Sequence, residues 1–166
     1  PFDNLKVRQA MKAVVDRQAI LNTALLGIGE LGNDNPVPPA WPTAYTTEIK
    51  QQDISLAKKL LAEAGYPDGI DFTIHVSTKE PTWPTIAEVL QQKFAKANIR
   101  ADIQMTPSKS YWNEKKKKKP VAMTRWNERS ADSVLHEVYH SSAKWNESYY
   151  KSSDFDKNLA SARAEL

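Results

Sequence analysis

The sequence predicts an α/β fold in which a small mixed sheet is flanked by helices. Residues 70–76 and 101–105 alternate apolar and polar side chains, and this period of two is typical of strands. Residues 84–97, which lie between these two segments, repeat apolar side chains at helical spacing. Because helices and strands alternate along the chain, we expect a sheet that is partly parallel and is covered by helices.

The other elements follow from the same spacing rules and from residues that begin or end helices. Asn4, Asp16 and Asp132 are expected to cap helices, because their side-chain oxygens can accept hydrogen bonds from first-turn N–H groups. Gly65 is placed to end a helix just before a turn. Residues 31–45 contain four prolines, which predicts a loop. Further helices are expected over residues 5–15, 17–26, 53–64, 108–118 and 132–139 and from residue 153 onward, and a third strand over residues 121–126.

Composition narrows the possible functions. The chain has 166 residues, of which 40% are hydrophobic, and this is enough for one folded domain. It has no cysteine, which excludes disulfides, thiolate zinc sites and cysteine nucleophiles. Its net charge of +3 depends on residues 115–119, all lysines, since without them 18 basic side chains would face 20 acidic ones. A lysine run is most often a solvated surface, so we expect no nucleic-acid partner. A basic nucleic-acid module whose binding falls steeply with salt remains an alternative.

One motif indicates enzyme chemistry. Residues 136–140 spell H-E-x-x-H, which on a helix places His136 and His140 one turn apart, with Glu137 as a general base. A catalytic zinc needs a third protein ligand and an open coordination position. Glu147 and Glu165 are the candidates for the third ligand. No nucleophile elbow and no phosphate-cradling glycine loop accompany the motif. We therefore expect no enzyme activity, no catalytic residue, no metal and no cofactor, with a zinc metallohydrolase as the alternative.

Several segments carry a resemblance to a known family. They read FDNLKVRQA at residues 2–10, VDRQAI at residues 15–20 and AKKLLAEAGYPDG at residues 57–69, with a late FD..LA.AR at residues 155–163. In this order they resemble the second lobe of family 5 extracellular solute-binding proteins, the dipeptide/oligopeptide-type receptors of ABC importers.

The resemblance implies how the chain is organised and where it works. Residues 1–166 are expected to form a single solute-binding lobe, one half of a two-lobed receptor of the periplasmic-binding-protein type whose first lobe is missing from this sequence. The expected partners are a small-molecule or peptide ligand and an ABC permease in the membrane. The expected location is periplasmic or extracellular, at the bacterial cell envelope.

The candidate ligand-binding residues form two short groups, of which the first follows a predicted strand, the usual ligand position in α/β sheets. The members of both groups are Trp126, Asn127, Arg129, Trp145 and Asn146. In peptide-binding members of the family, an Asp three positions after a similarly placed Trp holds the ligand's amino terminus. Arg129 stands at that position here, so the resemblance implies an anionic solute, such as an opine-like compound, or a peptide held by its carboxylate. Two alternatives remain: Arg129 pairs with Glu128 or Asp132, and the two Trp residues belong to the core.

Overall fold

The computed structural model describes residues 1–42, 44–112 and 118–165. They divide into two units, each with its own packing. Unit 1 comprises Pro1–Leu31 and Ile49–Thr124, and unit 2 comprises Gly32–Glu48 and Arg125–Leu166. Within the described ranges, none of the helices combines the length and the apolar character that crossing a bilayer requires.

Unit 1 is built on two parallel strands. The strands β1 (Ile70–Ser77) and β2 (Ile99–Thr106) pair in register from Ile70 opposite Ile99 to Ser77 opposite Thr106. An isolated parallel bridge joins His75 to Ala122. The helices of this unit are α1 (Leu5–Val14), α2 (Arg17–Ala24), α3 (Ile54–Glu63), α4 (Trp83–Ala95) and the single turn α5 (Ser108–Ser110).

The core of unit 1 follows from the helical and strand periods of its sequence. Helices α1 and α3 bury side chains spaced three or four residues apart, and β1 buries Ile74 and Val76. Helix α1 packs on α3, and α4 packs on both strands. Tyr111 is fully buried, and its hydroxyl donates to the Met123 carbonyl and lies 3.2 Å from the His75 carbonyl. The bridge beside β1 is therefore held by a side chain as well as by backbone.

Most predicted elements of unit 1 are confirmed, with shifted ends. Asn4 caps α1, Asp16 caps α2 and Asp53 caps α3 through their side-chain oxygens. Helix α2 ends two residues earlier than predicted because Leu26 and Gly27 take positive φ angles of 55° and 77°. Residues 31–45 contain neither helix nor strand at any described position, as the prolines predict.

Three predictions about unit 1 differ in part from the structure. The third strand predicted over residues 121–126 is reduced to the bridge at Ala122. The predicted α/β class, with a small sheet flanked by helices, is confirmed; the sheet is predicted to be mixed, whereas every pairing within the described residues is parallel. Of the helix predicted over residues 108–118, α5 covers the first three positions, residues 111–112 continue as a π-helical segment, and residues 113–117 lie outside the described residues.

Unit 2 is smaller and consists of two short helical segments and irregular chain. Helix α6 (Ala131–Val134) continues into a π-helical turn (Leu135–Tyr139), and α7 spans Ser153–Ala164. Ser130, rather than the predicted Asp132, caps α6, because its hydroxyl accepts from the Ser133 N–H at 3.2 Å. Asp132 lies inside the first turn and pairs with Arg163 at 2.9 Å.

We expect two glycines with the same backbone angle to respond differently to substitution. Gly65 and Gly69 both have φ +88°, but a Cβ at Gly69 would lie 1.7 Å from the Asn98 carbonyl oxygen, whereas one at Gly65 meets nothing within 4 Å. Gly65→Ala should lower the free energy of unfolding by about 1–2 kcal/mol, the cost of the left-handed conformation. Gly69→Ala should lower it by about 2–5 kcal/mol, since overpacking adds to that strain. Urea unfolding measures both, and equal losses would contradict the close approach.

The stability of unit 1 should depend on the ionisation of Asp16. One carboxylate oxygen accepts from Lys93 Nζ at 2.7 Å and the other accepts from the Ala19 N–H at 2.9 Å. The Lys93 hydrogen bond, followed by the Ala19 backbone N–H, lowers the pKa of Asp16. Because the folded-state pKa lies below the unfolded one, the stabilisation is complete above the unfolded pKa and is lost as pH falls through the folded pKa.

Asp16→Asn isolates this charge, because asparagine is an equally good N-cap. We expect it to lower the free energy of unfolding at pH 7 by about 0.2–1 kcal/mol. Its difference from the wild type should shrink as the solution is acidified below the unfolded pKa of about 3.9. Asp16→Ala also removes the cap and should cost about 1 kcal/mol more at pH 7. If the difference in the free energy of unfolding between the wild type and Asp16→Asn stayed constant in acid, the Lys93 interaction could not be its source.

Candidate functional site

Unit 2 brings two tryptophans and two cations together. The rings of Trp126 and Trp145, hereafter the aromatic pair, meet edge to face with centroids 6.2 Å apart. The Arg129 guanidinium carbon lies 5.3 Å from the Trp126 ring centroid, and Lys144 Nζ lies 5.4 Å from the Trp145 centroid. Trp145 is 43% exposed, so the aromatic pair is not a sealed core. Cations at these distances from indole faces are attracted by the ring quadrupole.

Arg129 is held by a carboxylate on the π-helical turn. Its Nη1 donates to Glu137 Oε2 at 2.6 Å, and Glu137 Oε1 accepts from the Ser133 hydroxyl at 3.0 Å. Ser133 and Glu137 are four residues apart and therefore lie on one face of the helical segment. The pair is partly exposed, at 35% for Arg129 and 40% for Glu137. An internal ion pair is therefore present, but its partner is Glu137 rather than Glu128 or Asp132.

Asn146 is turned into its own loop. It is 8% exposed, its amide nitrogen donates to the Tyr150 carbonyl at 2.6 Å, and its amide oxygen accepts from the Tyr150 N–H at 3.2 Å and from the Ser148 hydroxyl at 3.1 Å. Both ends of this amide therefore serve the loop that carries Trp145. Asn127 is exposed on the chain segment between Trp126 and Arg129.

Of the five predicted ligand-binding residues, Trp126, Trp145 and Arg129 are thus brought together, Asn127 is nearby in sequence and exposed, and Asn146 orders a loop. Sequence reasoning missed Lys144 and the link from Arg129 to Glu137. The Ser133–Glu137 spacing was the one local signal of that link.

The H-E-x-x-H motif has a geometry that does not support the zinc hydrolase alternative. Glu137, the required general base, is bound to Arg129 and Ser133. His140 lies beyond the π-helical turn with extended backbone angles, φ −56° and ψ 141°, so the motif is not on one continuous α-helix. The two imidazole centroids are 5.6 Å apart, and His140 Nε2 lies 3.8 Å from Asp156 Oδ1. Across the described ranges, no group of three or more metal-binding side chains is assembled.

Two other features have properties of binding sites: a cavity in unit 1 and the lysine run. A cavity of about 310 Å³ in unit 1 lies beside the start of α2, but its polar lining is engaged: Asp16 binds Lys93, and Arg17 donates to the Lys50 carbonyl at 3.1 Å. Lys118 and Lys119 of the lysine run are exposed, and residues 115–117 lie outside the described residues.

Comparisons with known proteins give the family context of these residues. The family model of the bacterial extracellular solute-binding proteins, family 5, middle region, matches residues 1–159. The glutathione-binding protein GsiB of Salmonella choleraesuis is 29% identical over 98% of this chain, which spans 34% of its length. Heme-binding protein A of Haemophilus influenzae is 39% identical over 61% of this chain, which spans 19% of that protein.

A solved structure shares the fold. The periplasmic binding protein DppA of Helicobacter pylori, in complex with the peptide STSA, superposes with a TM-score of 0.84 at 27% identity. The match covers 97% of this chain and 33% of DppA. The chain therefore spans about a third of the length of DppA and GsiB.

Proposed function

The chain belongs to the bacterial extracellular solute-binding proteins of family 5, and on that premise we propose that it is the substrate-capture lobe of an ABC-importer receptor. In this proposal residues 1–166 form one lobe of a longer receptor, which works in the periplasm or outside the cell and delivers its solute to an ABC permease. The solute is a peptide, an opine-like compound or another small polar molecule.

The observation that carries the proposal is the partly exposed aromatic pair beside Arg129 and Lys144. Indole rings give large, rigid contact areas with one polar atom, and they lose little conformational entropy when a ligand binds. No covalent step is needed for capture. Relatives support the solute class, because the names of GsiB and of the DppA complex specify glutathione and a peptide as their ligands.

The mechanism we propose is capture followed by closure of two lobes. A ligand can favour the closed form only by the contacts that it makes better in that form than in the open one. A lobe by itself supplies some of those contacts, so its affinity must be lower than that of the whole receptor. Asn146 contributes by ordering the loop that presents Trp145, and Arg129 contributes by stacking against Trp126.

We expect this chain to bind solutes at least a hundredfold more weakly than a full-length receptor that contains it, a loss of about 2.7 kcal/mol. Isothermal titration calorimetry with di- and tripeptides, glutathione and an opine tests both proteins with one panel. Binding by the full-length receptor with little or none by the chain is the expected result. Equal affinities would contradict the two-lobe mechanism, and the absence of binding by either protein would overturn the proposed solute class.

Removing the exposed indole should weaken capture more than removing another exposed aromatic side chain of unit 2. We expect Trp145→Ala in the full-length receptor to raise the Kd roughly tenfold to a hundredfold, in the range of an interface hot spot of about 1.4–2.7 kcal/mol. The matched control is Tyr45→Ala, since Tyr45 is fully exposed and lies outside the aromatic pair. The control should change the Kd less than twofold. If the two substitutions raised the Kd equally, the aromatic pair would not be part of the binding site.

A further inference from the structure

Two opposite charges follow one another beside Trp126: first the Arg129 guanidinium and then the Glu137 carboxylate. The Trp126 ring lies against the Arg129 guanidinium, with 5.3 Å between guanidinium carbon and ring centroid, and Glu137 follows at 2.6 Å from Arg129 Nη1. Ser133 fixes the far oxygen of that carboxylate. Arg129 Nε is buried and finds no hydrogen-bond acceptor within the described part of the chain. The guanidinium is therefore oriented by one carboxylate and one ring.

This arrangement weakens the attraction that Arg129 alone would exert on an anionic ligand at Trp126. Arg129 and Glu137 together carry no net charge, so a ligand carboxylate near Trp126 meets the attraction of one group and the repulsion of the other. To bind Arg129 directly in the same way, the ligand would have to displace Glu137 and break its bonds to Arg129 and Ser133. Because a partly exposed ion pair contributes little free energy, exchanging Glu137 for a ligand carboxylate gains little and also loses the hydrogen bond from Ser133.

We propose that Glu137 determines the charge specificity of the site: while it holds Arg129, the site favours a neutral ligand group against Trp126, such as an amide, a peptide unit or an aromatic ring, over an anionic one. This inference rests on the proposed function and narrows its substrate class at one position. It also reverses the expectation drawn from Arg129 alone, which favoured an anion there. Glu137 acts through Arg129 and does not itself contact the solute.

Two small probes that share a ring and differ in charge test the proposal on the chain itself. Benzamide is neutral and benzoate is anionic at pH 7. With 5-fluorotryptophan incorporated, fluorine NMR follows each of the five Trp residues separately, and Trp126→Phe and Trp145→Phe assign the two relevant resonances. The measured quantity is the ratio of the benzoate affinity to the benzamide affinity, obtained from titrations at constant ionic strength.

Four proteins with three different net charges on the pair give the prediction its sign. The wild type and the double variant Arg129→Gln/Glu137→Gln are both neutral, Glu137→Gln leaves a cation, and Arg129→Gln leaves an anion. We expect Glu137→Gln to raise the benzoate-to-benzamide ratio about fivefold to tenfold and Arg129→Gln to lower it, while the double variant returns near the wild-type value. The Trp83→Phe variant assigns the Trp83 resonance, whose unchanged position checks the core of unit 1, and a far-ultraviolet circular dichroism spectrum identical to the wild type's checks that the helices of unit 2 are retained.

Three results would overturn the proposal: a wild-type chain that prefers benzoate, a Glu137→Gln ratio equal to that of the wild type, or no response of the Trp126 and Trp145 resonances to either probe. The measurement needs neither the natural solute nor a second lobe. A receptor that failed the calorimetric test could therefore still show the predicted ratios, and a receptor that passed it could still fail here. The two proposals are separately refutable.

Discussion

The ion pair between Arg129 and Glu137 is the interaction on which the candidate site depends. It ties the segment that carries Trp126 to the π-helical turn, and it orients the guanidinium against the indole face. The same contact occupies the carboxylate that a zinc hydrolase would need as a free base. One interaction therefore orients the guanidinium beside Trp126, balances that charge with a carboxylate and withdraws support from the hydrolase alternative. A partly exposed ion pair contributes little to stability, so what the structure shows of its importance is geometric, and specificity is the role that we propose for it.

The secondary structure of unit 1 was readable from the sequence because its signals are local. Asn4, Asp16 and Asp53 accept hydrogen bonds from N–H groups two or three residues away, so each cap is decided within its own turn. The prediction of a third strand was wrong because strand formation depends on contacts that are distant in sequence. Residues 121–126 have a suitable pattern, but a strand needs a partner along its length, and the chain pairs only around Ala122, where His75 exchanges two backbone hydrogen bonds with Val121 and Met123. The alternation of side chains in the sequence does not show over how many residues a strand finds a pairing partner.

The sequence predicted which residues form the candidate site better than it predicted what each of them does there. Trp126, Arg129 and Trp145 do meet, but Asn146 could equally have faced a ligand or its own backbone, and only the fold decides that it binds Tyr150. Ser130 and Asp132 are both good helix caps two residues apart, so the sequence left the start of α6 ambiguous. Because Ser130 takes the cap, Asp132 is left to pair with Arg163, and Arg129 is paired with Glu137 across the helical segment.

The π-helical turn explains how these roles fit in so few residues. A π turn adds a residue to each hydrogen-bonded ring, which here runs from the His140 N–H to the Leu135 carbonyl, and such turns are frequent at functional sites. It holds Glu137 toward Ser133 and Arg129 while His136 stays exposed and His140 leaves the helix. Solute capture needs an aromatic surface whose position is fixed before the ligand arrives, because ordering it during binding would reduce affinity. The capped helix start, the ion pair and the Asn146 loop together supply that preorganisation without placing an uncompensated charge against Trp126.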